Sequence, residues 1–251
     1  MWKREVIKQR AKEVLRVNYW KAFLVSLVMT IIAVGEFSNL RTATGRVTNR
    51  FRYNYVPFNT GTSQTIINLS NKFILFLGSI AIVLIILRIV VGYSLQVGGT
   101  KFFIKATDGE SNMNYLGYCF KERRYFPVVI TMLLRSVYLY LWYLLLVIPG
   151  IIKTYSYRMV PYILADNPYI GYNRAIELSN EMTRGQKWDM FVLDLSFIGW
   201  YILGALAFGV GTLFVNPYAN STLAELYLSL RENAIERELT SYEELNLQYK
   251  S

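Results

Sequence analysis

Three charged side chains lie inside long apolar segments of this sequence. Arg88 is near the end of one segment, Arg135 is within the longest, and Asp194 is just inside a third. A charge within a membrane helix costs several kcal/mol unless it is paired or hydrated. Three roles are open for these residues. They are an Arg135–Asp194 or Arg88–Asp194 ion pair, a polar cavity for an anionic headgroup or peptide carboxylate, and proton coupling.

A fourth basic residue, Lys153, follows Pro149-Gly150 at the end of the longest apolar segment. Proline lacks an amide donor and glycine tolerates unusual dihedral angles, so this pair predicts a helix break. Lys153 could then bind carbonyl groups that the break leaves free. Broken helices line many transporter sites, but those folds carry a corresponding second break. The only counterpart in this sequence is a glycine-rich stretch at 204–211 with Pro217.

Arg184 and Lys187 are the first and last residues of the sequence RGQK, which directly precedes an apolar segment. A helix N-terminus binds anions through its free amides and its dipole, so this position suits a lipid phosphate. The alternative interpretation is that both side chains simply extend to the membrane interface. The glycine-rich pattern of nucleotide-binding P-loops is absent.

The residue inventory excludes several kinds of catalysis. The chain contains no histidine and a single cysteine, Cys119. Histidine general bases, Ser-His triads, histidine metal sites and structural zinc sites are therefore excluded, as is an internal disulfide. We expect no enzymatic activity, no catalytic residues, no cofactor and no bound metal.

The segments that carry these side chains have the composition of a membrane protein. Of 251 residues, 53% are hydrophobic and 18% are charged, and the apolar residues form long blocks. A soluble globular chain has about 45–50% apolar and about 25% charged residues. The sequence therefore predicts an all-α, polytopic transmembrane helix bundle.

About six membrane helices are predicted, some of them broken by proline or glycine. A full crossing needs about 20 residues, and the fourth and sixth segments are short. The predicted membrane segments lie at 22–35, 73–91, 127–148, 151–164, 190–214 and 219–230. Together with the chain that connects them, they form a transmembrane domain at 22–230. The segment that contains Pro161 is interpreted as a short return helix packed inside the bundle. Asp166 is interpreted as part of a helix stop, and a short helix is expected at 174–182.

The first 21 residues contain seven basic and two acidic side chains. Ile7, Ala11 and Leu15 repeat at helical spacing, which predicts a basic amphipathic helix over 1–21. Such a helix suits the headgroup layer of an anionic leaflet. The alternative interpretation of the same residues is an N-terminal segment that lies in water and whose charges only set the membrane orientation.

Residues 37–72 are rich in small polar side chains and contain five basic residues and no acidic one. We predict a polar extracytoplasmic loop there, and a charged cytoplasmic tail at 231–251. The positive-inside rule then places both termini in the cytoplasm and the protein in the cell (plasma) membrane. The basic loop conflicts with this orientation, but long loops translocate largely regardless of charge. Cys119 would lie in a cytoplasmic loop.

The C-terminal half resembles a known family. Its motifs are PGIIKTYSY at 149–157, YILADNP at 162–168, AIELS at 175–179, MTRGQK at 182–187, LDLSFIGW at 193–200 and PY at 217–218. In this order they resemble DUF975, a family of bacterial, mainly Gram-positive, integral membrane proteins, over about 126–230. The loop at 37–72 is longer and more basic than is usual for that family, and RGQK replaces a Lys-Gly-x-Lys type sequence. The resemblance implies a membrane protein without an established biochemical activity.

Two classes of function remain, since a lipid-modifying enzyme would need a catalytic constellation that the sequence lacks. The preferred class is a non-catalytic membrane protein that binds anionic lipid or an amphipathic peptide in envelope maintenance or stress. The second is a small transporter or permease subunit whose polar intramembrane site would carry a small-molecule or peptide ligand; its residues would be Arg88, Arg135, Lys153 and Asp194. Arg184 and Lys187 would contact lipid phosphate in the first class. Binding to nucleic acid is not expected.

Overall fold

The computed structural model describes residues 2–47, 73, 75–76, 78–79, 90–121, 123–206 and 209–247, with only the backbone described over 32–47. Within these ranges the secondary structure is helical and contains no strand. The predicted all-α fold is therefore confirmed. Arg88 and residues 48–72 of the predicted loop lie outside the described residues.

Eight α-helices and one 3-10 helix follow one another along the described chain. They are α1 (Arg4–Val47), α2 (described over 90–107), the 3-10 helix (Met113–Phe120), α3 (Tyr125–Leu145), α4 (Val147–Ser156), α5 (Val160–Asp166), α6 (Tyr172–Met182), α7 (Lys187–Leu206) and α8 (Gly211–Glu236). The described residues among 73–79 are also helical. The expected helix at 174–182 corresponds closely to α6.

Among the described residues, three segments are long and apolar enough to cross a membrane, namely Arg4–Ile31, Tyr125–Leu145 and Lys187–Leu206. They support a membrane protein, whereas the count of about six crossings stays a prediction. The predicted segment 73–91 lies mostly outside the described residues. The segment 151–164 is divided between α4 and α5, which have 10 and 7 residues and are each too short to cross alone.

The chain forms two compact units, one of Met1–Thr30 with Tyr93–Ser251 and one of Ile31–Gly92. We call the first the main unit. All of the side-chain arrangements described below lie within it.

Helix α1 joins the predicted N-terminal helix to the predicted first membrane segment, with a kink at Asn18 (φ −125°, ψ 20°). Ile7, Ala11 and Leu15 are all buried in the main unit. The apolar stripe of the predicted amphipathic helix therefore packs against protein rather than lying in a headgroup layer.

Helix α1 also continues to Val47, so residues 37–47 of the predicted loop are helical. Polar side chains do not stop a helix by themselves. The first proline of the chain is Pro57, and each interior glycine weakens a helix by only about 1 kcal/mol.

The break after the longest apolar segment lies at Leu146 (φ −160°, ψ 145°), not at Pro149-Gly150. Pro149 instead lies in the first turn of α4, where no helical hydrogen bond is lost. In an uninterrupted helix the ring of Pro149 would clash with the carbonyl of Leu145, four residues earlier. The proline therefore forces a break, but one that falls before the proline itself.

A second break, at 157–159, separates α4 from α5 shortly before Pro161. Every residue of α5 is buried. This agrees with the expected internal packing of the second half of segment 151–164. In α4, however, Ile151 and Ile152 are exposed.

Pro217 lies inside α8, which begins at Gly211 and therefore earlier than the apolar segment predicted at 219–230. Helix α8 also extends into the predicted tail at 231–251 and ends at Glu236. The following chain folds against α6, because Arg174 Nε donates to Glu244 Oε1 at 2.7 Å and Leu245 is fully buried. The Arg174 guanidinium holds the pKa of the Glu244 carboxyl below its usual value. The described part of the tail is thus a structured element of the main unit.

Helices α7 and α8 approach each other through Gly204 and Gly211. A Cβ atom at Gly204 would lie 2.7 Å from the carbonyl carbon of Gly211, and one at Gly211 would lie 2.6 Å from Cα of Gly204. Both clashes are with backbone, which cannot rotate away as a side chain can. A Cβ atom at Gly199, in the same helix as Gly204, would meet no atom within 4 Å.

We expect Gly204→Ala to lower the free energy of unfolding by about 1–2 kcal/mol, because the added methyl group overpacks a backbone contact. Gly199→Ala in the same helix is the matched control. It meets open space and gains helix propensity, so it is expected to be neutral or stabilising. Thermal unfolding of both variants in one detergent measures the difference, and equal effects would contradict the close approach of α7 and α8.

Candidate functional site

Three residues singled out in the sequence come together in the main unit. Lys153 lies on α4, Arg184 lies in the turn between α6 and α7, and Lys187 is the first residue of α7. Lys153 and Arg184 are both close enough to Lys187 to repel its charge. None of the three forms an ion pair with a carboxylate of the described residues. We call these three residues the basic cluster.

The turn that carries Arg184 also contains Gly185, whose φ is +77°. Glycine adopts this left-handed conformation without a steric penalty. The turn joins α6 to α7, and Lys187 is the first residue of α7. The free amides and the dipole of that helix end favour a bound anion.

Tryptophan side chains border the basic cluster. Lys153 Nζ lies 4.9 Å from the ring centre of Trp142, and Trp188 beside Lys187 is 71% exposed. Tryptophan is enriched at membrane–water interfaces, where its ring lies at headgroup level. The cluster therefore combines positive charge with side chains typical of a membrane interface.

Arg135 on α3 binds the helix break at 157–159. Its Nε donates to the carbonyl of Tyr157 at 2.8 Å. Ser179 on α6 serves the same break, because its hydroxyl donates to the carbonyl of Ser156 at 2.8 Å and accepts from the amide of Met159 at 3.2 Å. Backbone groups at a break must find partners when they are removed from water. Arg135 thus fulfils the carbonyl-binding role that the sequence analysis considered for Lys153.

Asp194 on α7 is paired with Arg158, in place of the Arg135 or Arg88 considered from the sequence. The two terminal nitrogens of Arg158 each donate to one carboxylate oxygen at 2.7 Å, and Tyr155 donates its hydroxyl to the same carboxylate at 3.0 Å. Two parallel bonds of this kind are the strongest arginine–carboxylate geometry. Arg158 is not among the residues that the sequence singles out, although it lies within the predicted segment 151–164. The signal that points to it is that Asp194 needs a basic partner and that this segment contains one in Arg158.

A second carboxylate, Asp166, is the centre of a buried charge cluster. Its side chain is 1% exposed and accepts hydrogen bonds from Arg231 at 2.7 Å and from Tyr227 at 2.8 Å. Lys101 Nζ lies 3.4 Å from its other oxygen. Burial lowers the pKa of Lys101, although the charge of Asp166 acts in the opposite direction. Asp166 does end α5, as expected of a helix stop, but it also ties α5 to α2 and α8.

The two carboxylates and the basic cluster differ in what they can offer a ligand. Asp166 and Asp194 are each paired with an arginine of the protein itself, and each also accepts a hydrogen bond from a tyrosine. The basic cluster has no such counter-charge among the described residues. No three histidine, cysteine or carboxylate side chains lie close enough to hold a metal ion within the described ranges. Among Asp166, Asp194 and the basic cluster, the charge available to a ligand is thus positive.

The comparisons with known proteins give one match. Residues 143–234 match the model of the family DUF975, which is described as a protein of unknown function. Neither a search of curated proteins nor a search of solved structures found a match. The matched range begins in α3 and ends in α8, so it contains the basic cluster, the buried Asp166 and the half-buried Asp194. The resemblance to the DUF975 family is therefore confirmed over residues 143–234.

Proposed function

We propose that this protein is a non-catalytic integral membrane protein whose basic cluster binds the phosphate group of anionic lipid in envelope maintenance or stress. The observation that supports this proposal is the convergence of Lys153, Arg184 and Lys187 without a carboxylate partner in the described chain. Like charges that lie together repel each other, and a bound anion removes this repulsion. A basic residue near an anionic membrane surface contributes about 1 kcal/mol to binding.

The surroundings favour a lipid phosphate over a soluble anion. Leu144 and Ile148, at the junction of α3 and α4, are 71% and 74% exposed. This apolar surface would contact acyl chains, while Trp142 and Trp188 lie beside the cations that would hold the headgroup. An amphipathic peptide with a carboxylate is the second ligand class that such a site would accept.

Native mass spectrometry of the protein in mild detergent tests the proposal, with phosphatidylglycerol and phosphatidylcholine as probes. Lys153→Gln, Arg184→Gln and Lys187→Gln are each expected to weaken phosphatidylglycerol binding by roughly fivefold, equivalent to about 1 kcal/mol. Phosphatidylcholine binding is expected to change little. Arg237→Gln, at an exposed position after α8, is the control and should have no effect. Equal retention of the two lipids by the wild type, or equal losses in the control, would contradict the proposal.

We also propose that the protein resides in the plasma membrane with both termini in the cytoplasm. Cys119 is fully buried in the 3-10 helix, and burial raises the pKa of its thiol to about 12. Because maleimides react with the thiolate, Cys119 is expected to stay unlabelled from either side. A Cys119→Ala, Ser241→Cys chain carries an exposed thiol in the tail instead. A membrane-impermeant maleimide should label it only after permeabilisation; labelling of intact cells would reverse the proposed orientation.

The alternative function is a small transporter or permease subunit. The observation that favours it is the break at 157–159, which contains Arg158 and on which Arg135 and Asp194 converge from α3 and α7. Transporter sites are often formed at such discontinuous helices. Solute flux into proteoliposomes that depends on the wild-type protein would support this alternative over lipid binding alone.

A further inference from the structure

A cavity of about 390 Å³ lies between the start of α1, the end of α8 and the turn that precedes α7. Pockets of about 300–1,000 Å³ are typical of small-molecule sites. The cavity is lined by residues of the main unit alone, and none of the basic cluster lines it.

Opposite charges face this cavity from two helices. Lys3 and Arg10 line it at the start of α1, and Glu232 and Glu236 line it from α8. The two glutamates are four residues apart and so share one face of α8. None of these four side chains forms an ion pair with any residue that the structure describes. Both signs of charge are thus available to a ligand.

Two residues that line the cavity, Trp2 and Gln186, each carry a buried polar atom without a hydrogen-bond partner in the described protein. Trp2 Nε1 and Gln186 Oε1 are both buried, and neither has a hydrogen-bond partner in the described protein. Most buried polar groups in proteins are hydrogen-bonded, because leaving one unpaired costs about 1–3 kcal/mol. The residues that line the cavity therefore supply a hydrogen-bond donor and an acceptor without partners, in addition to unpaired positive and negative side chains.

We propose that this cavity binds a small zwitterion with a primary ammonium group and a phosphate or carboxylate group a few bonds away. Glu232, Glu236 and the Gln186 carbonyl oxygen would receive the ammonium group. Lys3, Arg10 and the Trp2 indole N–H would receive the anion. A ligand of one sign would satisfy half of these groups and meet like charge at the other half. An ethanolamine phospholipid headgroup and a soluble amine zwitterion share this chemistry.

Isothermal titration calorimetry of the full chain in detergent tests the proposal with three probes: O-phosphoethanolamine, ethanolamine and inorganic phosphate. O-phosphoethanolamine is expected to bind at least about tenfold more tightly than either single-sign probe, because it satisfies both halves of the site. A wild-type chain that shows no saturable binding of O-phosphoethanolamine at millimolar concentration would overturn the proposal, as would equal affinity for all three probes.

Variants locate the two halves of the site. Glu232→Gln should weaken binding of O-phosphoethanolamine and ethanolamine but not of phosphate, and Arg10→Gln should weaken O-phosphoethanolamine and phosphate but not ethanolamine. Arg16→Gln and Glu238→Gln, both at exposed positions outside the cavity, are the matched controls. Each variant is first compared with wild type by thermal unfolding. Equal losses in the controls would overturn the assignment.

Nanodiscs distinguish the two sources of the zwitterion. If phosphatidylethanolamine in the nanodisc competes with O-phosphoethanolamine, the natural ligand is a lipid headgroup. If it does not compete, the ligand is a soluble zwitterion. The outcome is separate from the proposed function, since Glu232→Gln should leave phosphatidylglycerol retention at the basic cluster unchanged.

Discussion

Replacing Asp166 by asparagine is expected to lower the free energy of unfolding by about 3–5 kcal/mol, as when one partner of a buried ion pair is removed. The carboxylate is 1% exposed and binds Arg231, Lys101 and Tyr227. An amide keeps the shape but leaves two cations without a counter-charge inside the protein. The thermal unfolding midpoint in detergent, with the monodisperse fraction after size exclusion, measures the loss.

Two further variants separate this effect from a general sensitivity of the region. Glu177→Gln removes the exposed partner of a 3.4 Å ion pair with Arg174 and should cost less than about 1 kcal/mol. Arg231→Met in the Asp166→Asn background removes one unpaired cation and should recover part of the stability. If Asp166→Asn behaved like Glu177→Gln, the buried charge cluster would not be a determinant of the fold.

Asp194→Asn is expected to lower the free energy of unfolding by about 2 kcal/mol, because it removes the charge-assisted hydrogen bonds of a half-buried Arg158–Asp194 pair. An amide cannot accept both of the 2.7 Å bonds that Arg158 donates to the carboxylate. Asp189→Asn, in the first turn of the same helix α7, is the control. It removes only a favourable charge at a helix N-terminus and should cost less than about 1 kcal/mol.

The Asp194 variant also distinguishes the two functions. A loss of stability with unchanged lipid retention by the folded fraction would indicate a structural ion pair. Full stability together with loss of proteoliposome flux would indicate a transport or proton role and favour the transporter alternative. Full stability and unchanged flux would exclude both roles of Asp194.

Local features of the structure were largely predictable. The short helix expected at 174–182 is α6, which covers Tyr172–Met182. The apolar segments expected at 127–148 and 190–214 overlap most of the membrane-length helices α3 (Tyr125–Leu145) and α7 (Lys187–Leu206). The periodicity of apolar residues and the length of an apolar segment depend only on residues close together in sequence, so both can be recognised without knowledge of the fold. Helix ends were less predictable, since Pro149 displaced its break to Leu146 and Pro217 was accommodated within α8.

The arrangement of the candidate site was only partly predictable. The basic residues Lys153, Arg184 and Lys187 were each singled out by position beside a helix break or helix start, but separately. Their convergence depends on how α4 packs near the turn between α6 and α7, and no spacing along the chain encodes that. Arg158 was missed because its role exists only once α7 brings Asp194 beside it.

By itself, the sequence determined that this chain is helical and apolar in long blocks, that it lacks histidine chemistry, and that it resembles the DUF975 family. It also determined that charges inside those blocks needed partners. Only the tertiary structure decided which partners they have: the Tyr157 carbonyl for Arg135, Arg158 for Asp194, and residues from α2 and α8 for Asp166. The physical reason is that the need for a partner follows from the cost of burying a charge, whereas its identity follows from packing between segments distant in sequence.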